Sequence, residues 1–198
     1  MEIVIASTNL HKVREFRDMF KLFKGLDILS LLNFPNYQPL QEEGKSFEEI
    51  AILKAEHAAK ALNKLVLADD SGLVVPALRG SPGVFSRRYA GEDASDTENR
   101  KKLLQEMQKM SHLERSAYYE CCLALAGPQG IVKCVKGICE GRIINEERGR
   151  NGFGYDSLFV KNDYDKTFAQ INEATKNRIS HRRKAVDKLV PILETMQR

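Results

Sequence analysis

Short β-branched runs alternate with stretches of helical periodicity through residues 2–75, and this alternation limits the possible folds more than any other feature of the chain. Residues 2–6 (EIVIA) read as a strand ending in the tight turn Ser7-Thr8-Asn9; Val13, Phe16, Met19, Phe20 and Phe23 then recur at helical spacing up to Gly25. Residues 26–32 predict a second strand, and a loop containing Pro and Asn follows over 33–45. Ser46-Phe47-Glu48-Glu49 is a capping box, in which the Ser hydroxyl and the Glu three residues on satisfy each other's free backbone donors. It predicts an Ala-rich helix to about Asn63. The apolar run 65–68 is too short for a helix and carries Asp69-Asp70-Ser71-Gly72 at its end.

The second half changes character. Residues 79–96 read as a long loop, followed by a charged helix to about Met110. Residues 116–126 and 131–144, joined by Gly127-Pro128-Gln129-Gly130, predict a long hairpin that forms part of one lobe. After a Gly-rich loop at 149–154, residues 156–160 predict a short strand and 180–196 a last helix, kinked at Pro191. Helices alternating with strands, plus one antiparallel hairpin, argue for α/β architecture: an elongated mixed β-sheet flanked by helices. With 198 residues and no internal repeat or low-complexity linker, we expect a single domain over 1–198, in two lobes with the active-site cleft between them.

Composition removes several classes. Charged residues are 29% and apolar residues 42%, as in ordinary globular chains, which excludes disorder and coiled coil. No apolar run approaches the roughly 18 residues of a membrane helix, and the N-terminus lacks a signal-peptide pattern, so a cytoplasmic protein with no membrane partner is expected. Cys121, Cys122, Cys134 and Cys139 match no zinc-ligand spacing and read as small apolar residues of buried strands.

Two helix starts break a local rule. A helix N-terminus carries partial positive charge and favours acids in its first turn. Yet the first helix has Lys12 and Arg14 there, and the last opens His181-Arg182-Arg183-Lys184. The stretch 176–184 holds five basic residues and His181, with no acid. Without a visible compensating acid, such starts suggest an absent anion, and a strand-to-helix turn with short polar side chains and a Lys one turn on has the parts of a phosphate site. Conversely, Asp69 and Asp70 place two carboxylates at the carboxyl edge of a sheet, where open α/β folds bind ligands. Such oxygen donors suit magnesium, although Asp-Asp-Ser-Gly is equally a turn sequence. Glu42-Glu43, in a loop, reads alone as a solvated pair. The run 149–156 interleaves Phe153 and Tyr155 with Asp156 among glycines, suited to stacking on a base and reading its edge. Phosphate donors, carboxylates for a divalent cation and an aromatic loop for a base are together the requirements of a nucleoside triphosphate.

The ordered segments that carry these residues resemble the inosine triphosphate pyrophosphatase family across essentially the whole chain. They are Ser7-Thr8-Asn9-x-x-Lys12; Ser46-Phe47-Glu48-Glu49 with Ala51 and Lys54-Ala55; Leu67-Ala68-Asp69-Asp70-Ser71-Gly72-Leu73, continuing to Pro82-Gly83-Val84 and Arg88-Tyr89-Ala90-Gly91; Gly152-Phe153-Gly154-Tyr155-Asp156; and Lys176-Asn177-x-Ile179-Ser180-His181-Arg182. The resemblance implies a Mg2+-dependent nucleoside-triphosphate diphosphatase converting ITP, dITP and XTP to the monophosphate and pyrophosphate, keeping them out of DNA and RNA. It implies that Asp70 is the proton acceptor and a magnesium ligand, with Glu42 as second ligand by its register from Phe47. Ser7, Thr8, Asn9, Lys12 and Ser71 would contact the triphosphate or its metal; Phe153, Gly154, Tyr155, Asp156 and Lys176 the nucleoside; His181 and Arg182 the 6-oxo edge of the purine. Relatives of this kind are commonly homodimers.

The chain departs from the family pattern where Ile50 stands for a usual Asn, Ser157 for a usual Pro, Arg87 for a common Ala and Gln170 for a frequent Glu. An amide facing metal or phosphate cannot be replaced by a butyl group, so Ile50 is the departure that bears on metal positioning or substrate preference. Two other readings stand beside the family one. A pyrophosphatase for other modified nucleotides keeps the chemistry and changes the base. A single-stranded nucleic-acid-binding module would use 176–184 with Phe153 and Tyr155, and leaves the four acids without a role.

Overall fold

The computed structural model describes residues 1–40 and 44–197. Its elements are β1 (Glu2–Ile5), α1 (Leu10–Phe20), β2 (Asp27–Ser30), α2 (Phe47–Leu62), β3 (Val66–Val74), α3 (Asp96–Glu106), β4 (Ser116–Gly127), β5 (Gly130–Ile143), β6 (Phe159–Lys161), α4 (Glu173–Ile179) and α5 (His181–Met196). The alternation of the first half appears as anticipated. The helix over 173–179 has no counterpart among the sequence expectations; it is seven residues long and starts at Asn172, whose side chain accepts from Thr175 N.

Local signals account for the helix starts. Ser46 Oγ accepts from Glu49 N, while the Glu49 carboxylate reaches past the cap to Lys45 N at 2.9 Å. The helix ends at Asn63 in the left-handed conformation, one of the few side-chain types that tolerates it. A complete capping box at Ser95 and Glu98 starts α3.

One six-stranded sheet has the order β2-β1-β3-β4-β5-β6. β1 lies parallel to both β2 and β3, and β5 antiparallel to β6, so the sheet is mixed. The connection of β4 to β5 is too short for a crossover and makes them a hairpin. The hairpin is built into the sheet between β3 and β6.

The chain divides into two compact units. One comprises Met1–Asp70, Cys121–Gly137 and Arg182–Arg198; its core joins Ile3, Ile5, Val13, Phe16, Leu67, Cys121, Leu123 and, from α5, Ala185, Val186, Leu189 and Leu193. The other comprises Ser71–Glu120 and Ile138–His181, around Leu73, Leu103, Met107, Tyr119, Ile143, Tyr155, Phe159 and Phe168. The hairpin's tip belongs to the first unit and its base to the second. Cys121, Cys122 and Cys139 are buried strand residues, Cys134 is half-buried, and no disulfide joins them. Pro191 lies within α5. Among the described residues, no helix is long and apolar enough to cross a membrane.

Candidate active site

The candidate residues fall into two groups, one in each unit, with Glu42 outside the described residues.

The first group is organised by β3. Local propensity made Asp69-Asp70-Ser71-Gly72 a turn or a strand end, yet β3 runs unbroken through all four. Pairing with β1 ends where Ile5 faces Leu67, so β3 carries its two carboxylates just past the carboxyl end of its neighbour. Successive strand residues point to opposite faces. Asp69 therefore shares the face of Leu67, on which α1 and α5 pack, and Asp70 lies on the other.

Asp69 is the centre of a buried charge array. Its Oδ1 forms an ion pair with Lys12, one turn into α1. Its Oδ2 accepts from Arg182 Nε at 3.2 Å and from the Cys121 thiol at 3.1 Å. Arg182, 1% exposed, places its other arm on the carboxylate of Glu15 and its guanidinium over the Phe16 ring. The order Glu15, Arg182, Asp69, Lys12 alternates in sign, which is what lets four ionised groups leave water together. Burial alone would raise the Asp69 pKa; Arg182 and then Lys12 outweigh it and hold the carboxyl well below the usual carboxylate range. Burial depresses Lys12, and Asp69 more than restores it. For Cys121, burial first and Asp69 second push the thiol well up.

This array corrects one inference from sequence. The basic helix starts are not uncompensated: Lys12 pairs with Asp69, Arg182 with Glu15 and Asp69, and Arg183 with Asp187 at 2.7 Å. The N–H groups of His11 and Lys12 are capped by Asn9 Oδ1, and Ser7 Oγ accepts from Asn9 N. Thr8 is exposed. Glu15 was not singled out from sequence, and neither Cys121 nor Lys54, whose ammonium donates to the Asp69 carbonyl at 3.3 Å, was assigned a site role there. Nothing local distinguishes Glu15, because its partner is 167 residues away.

Asp70 is 7% exposed. With both oxygens of Asp69 engaged by cations and a thiol, the metal-ligand expectation in β3 rests on Asp70. Among the described residues no three His, Cys, Asp or Glu side chains gather as a metal cage. Ile50 is 2% exposed on α2, and a Cβ at Gly44 would lie 2.5 Å from its Cγ1, so this departure from the family pattern packs against main chain.

The second group is organised by the loop 149–156 and α4. Gly152 has φ +77°, and a Cβ there would meet Asp156 Oδ2 at 2.1 Å, so the turn accepts glycine alone. Asp156 sits in this turn and not, as expected, inside the following strand, which begins at Phe159. Its Oδ2 accepts from Phe153 N at 3.1 Å and from Lys176 Nζ at 2.6 Å. The same ammonium lies 4.8 Å from the Phe153 ring centroid. Tyr155 turns away from this cluster, its hydroxyl donating to Ser86 O at 2.9 Å. Tyr119, unremarked in the sequence, stacks on His181 and Phe168, at 4.7 and 6.0 Å between near-parallel rings, and its hydroxyl donates to Asp156 Oδ1 at 3.4 Å. Burial first, then Asp156, raise the Tyr119 phenol well above its ordinary value, keeping it a donor. Phe153, Asp156, Lys176 and His181 are thus assembled in one unit, which also contains Ser71 and Gly154; Ser7, Thr8, Asn9, Lys12, Asp70 and Arg182 belong to the other.

Comparison with known proteins gives a consistent result. The model of the Ham1 family matches residues 3–192. The chain is 65% identical over 198 residues, all of both chains, to the dITP/XTP pyrophosphatase of Protochlamydia amoebophila. It is 53% identical over 197 residues to that of Chlamydia caviae, covering 99% of this chain and 96% of the relative. Among solved structures, the Staphylococcus aureus Ham1 protein superposes with a TM-score of 0.87 at 44% identity, covering 99% of this chain and 100% of the other. A HAM1 protein from Coxiella burnetii gives 0.89 at 38% identity, covering 98% and 99%. A family match over residues 3–192, nearly the whole length, means that this chain belongs to the Ham1 family.

Proposed function

We propose that this protein hydrolyses non-standard purine nucleoside triphosphates, dITP and XTP among them, to the monophosphate and pyrophosphate. The full-length likeness to dITP/XTP pyrophosphatases carries this reading. Asp70 takes the proton of the water that adds across the bond between the α and β phosphates, and the β oxygen leaves with the pyrophosphate. Mg2+, when held by Asp70 and Glu42, supplies charge neutralisation for the phosphates and acidity for the attacking water. Lys12, paired with Asp69 near the start of α1, would contact the triphosphate or its metal from the first turn of that helix. The Phe153 ring, with Lys176 and Asp156 locked beside it, receives the nucleoside. Arg182 and His181 act on the 6-oxo edge: hypoxanthine and xanthine present an acceptor at C6 where adenine presents a donor, so cationic donors discriminate between them. The protein works in the cytoplasm as a homodimer.

The test is a panel of purine triphosphates with Mg2+ and pyrophosphate detection. Pyrophosphate release from dITP and XTP should exceed that from dATP and dGTP by roughly 100-fold. Equal rates on all four, or release of single phosphate, overturn the proposal. Light scattering after size exclusion at micromolar protein checks the dimer.

A further inference from the structure

Gly154 has both of its backbone polar groups held by side chains of α3. Its N–H donates to Asp96 Oδ2 at 2.7 Å, and its carbonyl accepts from Arg100 Nη1 at 2.9 Å. Asp96 and Arg100 stand four apart, one above the other on the same helix face. The guanidinium does more than close this pair. Its Nε donates to Glu147 Oε2 at 2.8 Å and its Nη2 to Thr97 Oγ1 at 3.1 Å. Glu147 in turn accepts from the Ser157 hydroxyl at 3.0 Å. One arginine thus ties residues before, within and after the glycine-rich loop to one helix turn.

The helix is a firm anchor. Its first turn is closed independently by the reciprocal Ser95 and Glu98 cap, so Asp96 is not required as the cap and spends its carboxylate on the loop. The loop has other ties, with the Arg150 and Asn151 N–H groups on the Ala169 carbonyl and Phe153 N on Asp156 Oδ2, but at Gly154 both main-chain polar groups rest on α3, and the glycines at 149, 152 and 154 all have positive φ and large conformational freedom in the unfolded ensemble. A binding loop ordered only by its ligand loses affinity to that ordering, whereas one ordered in advance does not.

We infer that Asp96 and Arg100 are positioning residues that preset the loop 152–156 for the nucleoside. The inference rests on the reading of Phe153 and Asp156 as nucleoside contacts. Neither α3 residue is assigned contact with substrate; they act through the Gly154 main chain.

The experiment uses the full-length protein with Mg2+ and dITP, with Arg100→Ala, Arg100→Lys, Asp96→Ala and Asp96→Asn, and with Phe153→Ala and Asp156→Asn for comparison. Arg100→Ala and Asp96→Ala should each raise KM about ten-fold while kcat changes less than about three-fold, because uniform binding is lost and chemistry is not. Asp96→Asn retains an oxygen acceptor and should recover most of the loss; Arg100→Lys, with one donor head, should recover little. Exchange of the Gly154 amide, followed by NMR without nucleotide, should accelerate at least about ten-fold in both Ala variants. Faster exchange with unchanged KM overturns the inference, as does a fall in kcat at constant KM. If an Ala variant fails to fold, the contrast between Asn and Lys still decides: equal KM for both contradicts the arrangement. Unchanged KM in Phe153→Ala and Asp156→Asn removes the nucleoside reading itself, whereas raised KM there with normal KM in every α3 variant removes this inference alone.

Discussion

The ammonium of Lys176 lies 2.6 Å from Asp156 Oδ2, in a pair whose side chains are only 5% and 4% exposed. Removing one member strands the other as a buried charge, which typically costs about 3–5 kcal/mol, whereas removing both does not. In the absence of nucleotide, Lys176→Met should lower unfolding free energy by roughly 3 kcal/mol, and Lys176→Met with Asp156→Asn should recover at least about 1 kcal/mol of it. Urea denaturation of the two single variants and the double variant measures the coupling; additive losses contradict it.

Asp70→Asn keeps volume and removes the carboxylate proposed as proton acceptor. Turnover of dITP should fall by about 10²- to 10⁴-fold while nucleotide affinity stays within a few-fold. Retained turnover places the base elsewhere. Chelation with EDTA should stop wild-type turnover and added Mg2+ restore it.

Its neighbour behaves differently. Asp69 balances Lys12 and Arg182 inside the fold, so Asp69→Asn should destabilise the protein by roughly 3 kcal/mol, more than Asp70→Asn does. Thermal or urea unfolding of both variants measures the structural share of Asp69, and equal stability of the two contradicts the array.

Ile50 tests the departure from the family pattern. Reinstating the family amide with Ile50→Asn puts a polar group where Ile50 packs beside Gly44, and should cost about 1–3 kcal/mol without raising dITP turnover. A gain in turnover at unchanged stability would show that this position faces the phosphates or metal.

Cys121 should be silent to thiol reagents. Burial and the adjacent Asp69 raise its pKa well above the ordinary thiol value, so at pH 8 the reactive thiolate is suppressed. Cys134 is also raised, chiefly by burial, but it is only half-buried. Iodoacetamide followed by peptide mapping should label Cys134 first, with Cys121, Cys122 and Cys139 appearing only in denaturant. Rapid native labelling of Cys121 contradicts the burial.

Much of the fold was legible in short stretches of chain. Ser46 and Asn63 bracket α2, the residues at 13, 16, 19 and 20 define the buried side of α1, and turn residues close the hairpin, because caps, periodicity and turns are settled by backbone geometry within a few residues. Residue types likewise announced the aromatic glycine loop and the adjacent aspartates. Local propensity failed where partners are remote. The ladder of the sheet carries β3 straight through a turn-like sequence. Lys12, which looked like a cation awaiting phosphate, meets Asp69 inside the fold, and Arg182 reaches Asp69 and Glu15 from 113 and 167 residues away. The sequence by itself determined most of the elements, α4 excepted, their order and the chemical inventory. Only the tertiary structure decided which charges are spent on each other, because a buried ion must find its partner in space and strand order, not sequence proximity, supplies it.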